Sequence, residues 1–164
     1  MTVVRLSKDL AEEGYSYAEM VRMTRAAELV RVRRGAHAVP ADEPLSPRAT
    51  HLRLLAATVG QTSPELVVSH MSAAALHGLP IWNEQLDRVH LTRDRQGQGK
   101  VRRYVHLHCT PIADRDVVEI DGFRVTSLAR TVVDLASLDA LCRTHRRRCT
   151  AERPPARASR SAGG

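Results

Sequence analysis

Apolar and polar positions change period twice in the first forty residues. Leu6 and Leu10 recur at helical spacing, which predicts a short first helix through Glu13 with Ser7 as N-cap and Gly14 as C′ residue. From Tyr17 to Glu28 the period stays helical. Tyr17, Met20, Val21, Thr24 and Ala27 make one apolar face, and Arg22 and Arg25 share another stripe one turn apart. Ser16-Tyr17-Ala18-Glu19 opens this helix as a capping box, hydroxyl to the N3 amide and carboxylate back to the N-cap amide. At Val30 the period drops to two. Val30 and Val32 alternate with Arg31 and Arg33, Arg34-Gly35 breaks the run, and Ala36 to Val39 can pair back as an arginine-edged hairpin. Helix followed by basic hairpin is the C-terminal part of a winged helix-turn-helix, in which a helix reads a groove and a wing holds phosphates.

Three prolines between residues 40 and 47 forbid regular structure and mark a domain boundary. Ser46-Pro47 then starts a helix, as N-cap with proline at N1, that buries Leu52, Leu55 and Val59 and stops at Gly60. Leu66 to Val68 predicts a short buried strand. Ser69 is placed to cap a helix from Met71 to His77 that ends at Gly78. Arg88 to Thr92 alternates, and Gln96 to Gly99 is a loop tip. Val101 to His108 alternates again, with Val101, Val105 and Leu107 on one side and Tyr104, His106 and His108 on the other. Asp121-Gly122 joins Val117–Ile120 to Phe123–Thr126 as a type I′ hairpin. Thr126 or Ser127 caps a last helix whose buried stripe is Leu128, Val132 and Leu135. From Cys142 onward there is no periodicity and no Val, Leu, Ile or Phe, so a disordered basic tail is expected. The expected architecture is α+β: a winged-helix-like DNA-binding region over 1–39, a linker over 40–47, a small α/β domain over 48–141 and a tail over 142–164.

Charge adds less than the net value of +7 suggests. The tail from residue 143 carries +6 of it, and the remaining 142 residues carry only +1. What the body has is local asymmetry. Arg22, Arg25, Arg31, Arg33 and Arg34 face only Glu28 in their stretch, and Arg93, Arg95, Lys100, Arg102 and Arg103 face only Asp94. Such patches bind phosphate without a large net charge. No run is long enough to span a bilayer and the N-terminus has no apolar signal region, so a cytoplasmic location and no membrane partner are expected. Three unpatterned cysteines make no disulfide framework.

Catalytic chemistry finds no foothold. His70, His77, His90, His106, His108 and Cys109 are numerous, and His106 and His108 share a strand face. None of them falls in a Cys-x-x-Cys or His-Glu-x-x-His spacing, so they read as core or surface histidines, with no metal and no cofactor expected. Asp87, Asp114, Asp116 and Asp121 occupy turns and strand ends, where aspartate is structural. Gln96 to Gly99 lacks the strand-to-helix context of a phosphate loop. Ser69 and Ser72 beside His70 are better explained by capping. No catalytic residue and no enzymatic activity are expected.

Four segments occur in an order that resembles a known family: Ser16–Gly35, Val67–Pro80 (Val-Val-Ser-His-Met-Ser-Ala-Ala-Ala-Leu-His-Gly-Leu-Pro), Leu86–Arg93 and Val125–Ala136. Over about Gly14 to Leu141 the chain is similar to the actinobacterial AbiEi-type antitoxins of type IV toxin–antitoxin systems. The resemblance implies a winged-helix region that represses its own operon by binding promoter DNA, and a second domain associated with neutralising a nucleotidyltransferase-like toxin. Two departures stand out: only two helices precede the wing, and the arginine-rich tail replaces the continuation of longer relatives, some of which carry a restriction-endonuclease-like domain. On this reading Arg22 and Arg25 approach the groove, Arg31, Arg33 and Arg34 hold phosphates, and Arg93, Arg95, Lys100, Arg102 and Arg103 form a second patch. The alternative is a truncated, non-catalytic remnant of a nuclease-bearing protein that acts as a protein-interaction module.

Overall fold

Two antiparallel pairings close the N-terminal region around a three-stranded sheet. The computed structural model describes residues 4–81 and 86–137; the expected tail and the end of the last helix lie outside them. β1 (Val4–Leu6) runs directly into α1 (Ser7–Glu12), then come α2 (Tyr17–Arg25), β2 (Val30–Arg33) and β3 (Ala36–Ala38). β3 lies between the other two strands, in the order β1-β3-β2. The alternation had shown the hairpin but not β1, a three-residue strand too short to display a period.

The Ser16 capping box forms in full: its hydroxyl accepts from the Glu19 amide at 3.2 Å, and the Glu19 carboxylate accepts from the Ser16 amide at 2.8 Å. Ser16→Ala is expected to cost about 1 kcal/mol of stability, measurable as a lower urea midpoint at unchanged slope. Ser7 is not a cap, because it is already helical and Leu6 takes the N-cap position without a side-chain bond. α2 also ends earlier than its apolar period suggests, at Arg25, and Ala27 turns left-handed with φ 57°. Its buried contact is made by Met20 with the half-buried Met23, against Leu10 and Leu29, while Tyr17 is 80% exposed. α1 and its turn cover only the methionine side of so short a helix.

α3 (Pro47–Val59) is capped as its sequence predicts, with Ser46 Oγ accepting from the Ala49 amide at 3.2 Å. It packs on the three-stranded sheet through Ala57 beside Leu6 and Ala36, and on the second sheet through Leu55. That second sheet holds β4 (Val67–Val68), β5 (Val89–Arg93), β6 (Lys100–Val101), β7 (Val105–Cys109), β8 (Val117–Ile120) and β9 (Phe123–Thr126), in the order β6-β7-β5-β4-β9-β8. It is mixed: β5 runs parallel to β7 and β4 parallel to β9, and the other pairs are antiparallel. Leu55, Val68, Ala73, Val89, Leu91 and Val125 form its core. The β8–β9 turn is as read, with Asp121 at φ 52° and Gly122 at 79°, the two positive values a type I′ turn requires.

Three local readings change. The expected single strand from 101 to 108 is broken at residues 102–104, and its two ends, β6 and β7, pair with each other. Gly99 makes that fold-back possible: a Cβ there would sit 2.6 Å from the Leu107 carbonyl oxygen. α4 (His70–His77) begins one residue earlier than expected, and Ser69 makes no capping bond. Its hydroxyl is instead taken up by His70 and Thr92. The last helix, α5 (described over 128–137), is turned over. Leu128 and Val132 are half exposed, while Thr131 and Asp134 are buried. The polar side faces inward because it is paired there: Thr131 Oγ1 bonds Thr126 at its hydroxyl and carbonyl, and Asp134 holds Arg130 at 2.9 Å, which also reaches Asp116. The fold is thus mixed α+β with two sheets, as the patterning predicts, and no helix among the described residues is long and apolar enough to cross a membrane.

Candidate nucleic-acid interface and a buried histidine cluster

Arg33 of the first arginine patch meets four cations of the second, more than fifty residues away in sequence, at one cleft. The cleft has a volume of about 500 Å³ and lies where the β2–β3 hairpin and the end of α3 face β5, β6 and β7. Arg33 lines it from the hairpin, Arg93 from the end of β5, and Lys100, Arg102 and Arg103 from β6 and the turn after it. Gln61, Thr62 and Ser63 supply neutral hydrogen-bonding groups, Leu91 and Leu107 form part of the wall, and no carboxylate lines it among the described residues. Five cations converging on one concave, partly apolar surface concentrate positive potential more than the same cations spread over loops. The charge and hydrogen-bonding groups of this lining are complementary to phosphate oxygens.

Tyr104 organises the cations. The Arg103 guanidinium lies 4.9 Å from its ring centroid and that of Arg33 lies 5.6 Å from it. Arg33 Nη1 also donates to Thr58 Oγ1 at 2.7 Å. This corrects the picture of Arg33 as a free wing residue. The β2–β3 register shifts between Arg31 and Arg33, so strict alternation fails. Arg33 turns onto α3 and Tyr104 and is half-buried, while Val30 is left 43% exposed. Of the other expected contacts, Arg22, Arg25, Arg31 and Arg34 are exposed on α2 and the hairpin and do not line the cleft; neither does Arg95.

The opposite face of the same strands carries a histidine cluster. Parallel register sets His90 beside His106 and Thr92 beside His108, and strand alternation puts all four on the face away from Leu91 and Leu107. His70, at the start of α4, completes the group. His70 and His108 stack at 3.8 Å between centroids, His106 and His108 at 4.0 Å, and His90 Nδ1 lies 3.1 Å from His108 Nε2. Burial, with the neighbouring imidazoles adding to it, pushes His90 down to about 3 and His108 down to about 2. Burial likewise lowers His70 to about 4, against the opposing pull of Asp134. His106 is also lowered by burial, then by Arg88. The rings are therefore neutral at physiological pH, each with one unprotonated nitrogen.

The network around them orders its protons. His51 Nδ1 is 2.8 Å from the Leu86 carbonyl, which only accepts, so that nitrogen carries the hydrogen. The Ser72 hydroxyl then donates to His51 Nε2 and accepts from the His90 amide, at 2.9 and 2.8 Å. Strand alternation alone places His106 and His108 on one face. It has no means of adding His90 and His70, because the register of β5 against β7 and the position of α4 are set by long-range packing. No protein-family model matches the chain, and no curated protein matches it in sequence.

Proposed function

We propose that this chain is a non-enzymatic DNA-binding regulator, an autorepressor of the AbiEi antitoxin type, that grips the duplex backbone in the basic cleft. The convergence of Arg33, Arg93, Lys100, Arg102 and Arg103 on one carboxylate-free surface carries the reading. The N-terminal order supports it: strand, two helices, then a hairpin whose inner strand pairs with the first strand, as in a winged helix short of its first helix. The exposed Arg22 and Arg25 on α2 suit contact with base edges, and Arg31 and Arg34 suit flanking phosphates. Promoter DNA of its own operon is the proposed ligand and a nucleotidyltransferase-like toxin the proposed protein partner. The outward-facing Leu128, Val132 and Val133 of α5 favour a second reading, a protein-interaction module without DNA binding.

Fluorescence anisotropy on the full chain separates the two. Promoter duplex should bind with an affinity that falls as salt rises. Replacing Arg93, Lys100, Arg102 and Arg103 together with alanine should weaken binding to every sequence and lower the log–log salt slope by roughly 3 to 4, about 0.9 per phosphate contact. Arg22→Ala with Arg25→Ala should instead erode the preference for promoter over scrambled duplex. The arginine-rich tail contributes equally to all variants, so the slope difference isolates the cleft. An unchanged slope in the fourfold variant would overturn the cleft assignment.

A further inference from the structure

We infer that His70, His90 and His108 form a binding site for a borderline divalent transition-metal ion, zinc in the first instance. One nitrogen from each ring lies within 4.8 Å of the other two. His90 Nδ1 and His108 Nε2 are 3.1 Å apart, near the roughly 3.3 Å that separates ligand nitrogens around a tetrahedral zinc with bonds of about 2.0–2.1 Å. The ligands come from three separate elements, α4, β5 and β7, and the parallel register of the two strands fixes the backbone beneath two of them.

Donor chemistry selects the ion. Three neutral imidazoles suit zinc, copper or nickel, whereas calcium and magnesium require oxygen ligands. A second layer is already in place. His70 Nδ1 lies 2.9 Å from Ser69 Oγ, which also accepts from Thr92 Oγ1 at 2.7 Å. When that Nδ1–H donates to Ser69, the lone pair is left on Nε2, the arrangement that orients metal-bound histidines. His70 also holds a left-handed backbone, φ 51°, unusual for a residue other than glycine. His70 and His90 are buried while His108 is half-buried, which leaves an approach from one side.

Binding has a cost in ring geometry. His108 is within 14° of parallel to His70 and within 22° of parallel to His90, and stacked rings direct their lone pairs side by side. The rings must splay for those lone pairs to converge. One proton also lies between His90 Nδ1 and His108 Nε2; the ring carrying it must hold it on its other nitrogen instead, a tautomer change with no net proton release. The ion would tie β5 to β7 on the reverse of the face that walls the basic cleft.

The test uses tag-free full chain stripped with EDTA and titrated with Zn²⁺ by calorimetry, with Co²⁺ as the spectroscopic substitute. Cys142, His145 and Cys149 could bind zinc independently, so a Cys142→Ser/Cys149→Ser variant is titrated in parallel. The expected result is one ion per chain at the histidines in both proteins, with movement of the ¹⁵N resonances of His70, His90 and His108. His108→Gln, and His70→Asn with a side chain that tolerates positive φ, should each weaken binding by roughly 100-fold or more, beyond the 10–100-fold seen when only supporting groups are lost. His37→Gln, in the other sheet, should bind normally. Zinc binding that disappears with the cysteines, unmoved histidine ¹⁵N resonances, or full affinity in His108→Gln would each overturn the site; the resonance measurement needs no variant to fold.

Discussion

Acidifying the metal-free chain from pH 7 to about 4.5 is expected to remove a large share of its stability, beginning above the pH at which carboxylates protonate. His70 and His90 are both buried and both neutral when folded, at about 4 and about 3 against an ordinary value of 6.5. Below pH 6.5 the unfolded chain therefore binds protons that the folded chain refuses, and stability falls as pH falls. It is fully present near pH 7 and declines through the window down to about pH 4. Each histidine contributes a slope of about 1.4 kcal/mol per pH unit in that window, roughly 3 kcal/mol for the pair. The groups facing them do not relieve this. Asp134 favours the charged form of His70, but it is already engaged by Arg130, and His106, His51 and Arg88 all oppose charging. Two pH units at that slope remove about 5 kcal/mol, a large share of the 5–15 kcal/mol that holds a domain together. Urea midpoints in EDTA at pH 7, 6, 5 and 4.5 measure it. His70→Asn should remove one histidine's share of the dependence and leave the shares of His90 and of His108, which burial also holds neutral. A midpoint that is flat from pH 7 to 5 would mean that the cluster already holds charge or opens to water.

Leu55→Ala is expected to cost roughly 3–5 kcal/mol, the upper part of the range for buried leucine truncation. Leu55 is fully buried on α3, against Val68, Val89, Leu91 and Val125. Those neighbours are stiff branched side chains on paired strands and a leucine between them. They cannot collapse into the space, and a chain with 3% aromatic residues has few large rings to fill it. α3 also carries the three-stranded sheet, so the loss should appear as one cooperative transition at a lower urea midpoint. Leu128→Ala is the contrasting measurement. Half exposed on α5, it should change stability by less than about 1 kcal/mol. Were Leu128 the costly position and Leu55 the cheap one, α5 would be oriented by its apolar stripe after all.

The difference between these two leucines shows where patterning stops being informative. Leu128, Val132 and Leu135 make a better apolar stripe than Thr131 and Asp134 do, and periodicity has no means of knowing that the polar pair has partners waiting. Thr126 and Arg130 satisfy them, and once satisfied they are buried at little cost. Arg33 is a similar case: alternation sends it to solvent, but one register shift in a four-residue strand turns it onto Thr58 and Tyr104.

What the sequence determined by itself is what neighbours within about four residues decide. The Ser16–Glu19 capping box, the Ser46-Pro47 helix start, the left-handed Gly78 that ends α4 and the Asp121-Gly122 turn all form as read, because each is closed by bonds or steric preferences internal to its own segment. Only the tertiary structure brings Arg33 to Arg93 and Lys100, or sets His70 over β5 and β7. Those meetings depend on which strands run parallel and in what register, and that choice is settled by burying Leu55, Val89, Leu91 and Val125 together. The same branched residues would be equally apolar in any other strand order, so the sequence alone carries no record of it.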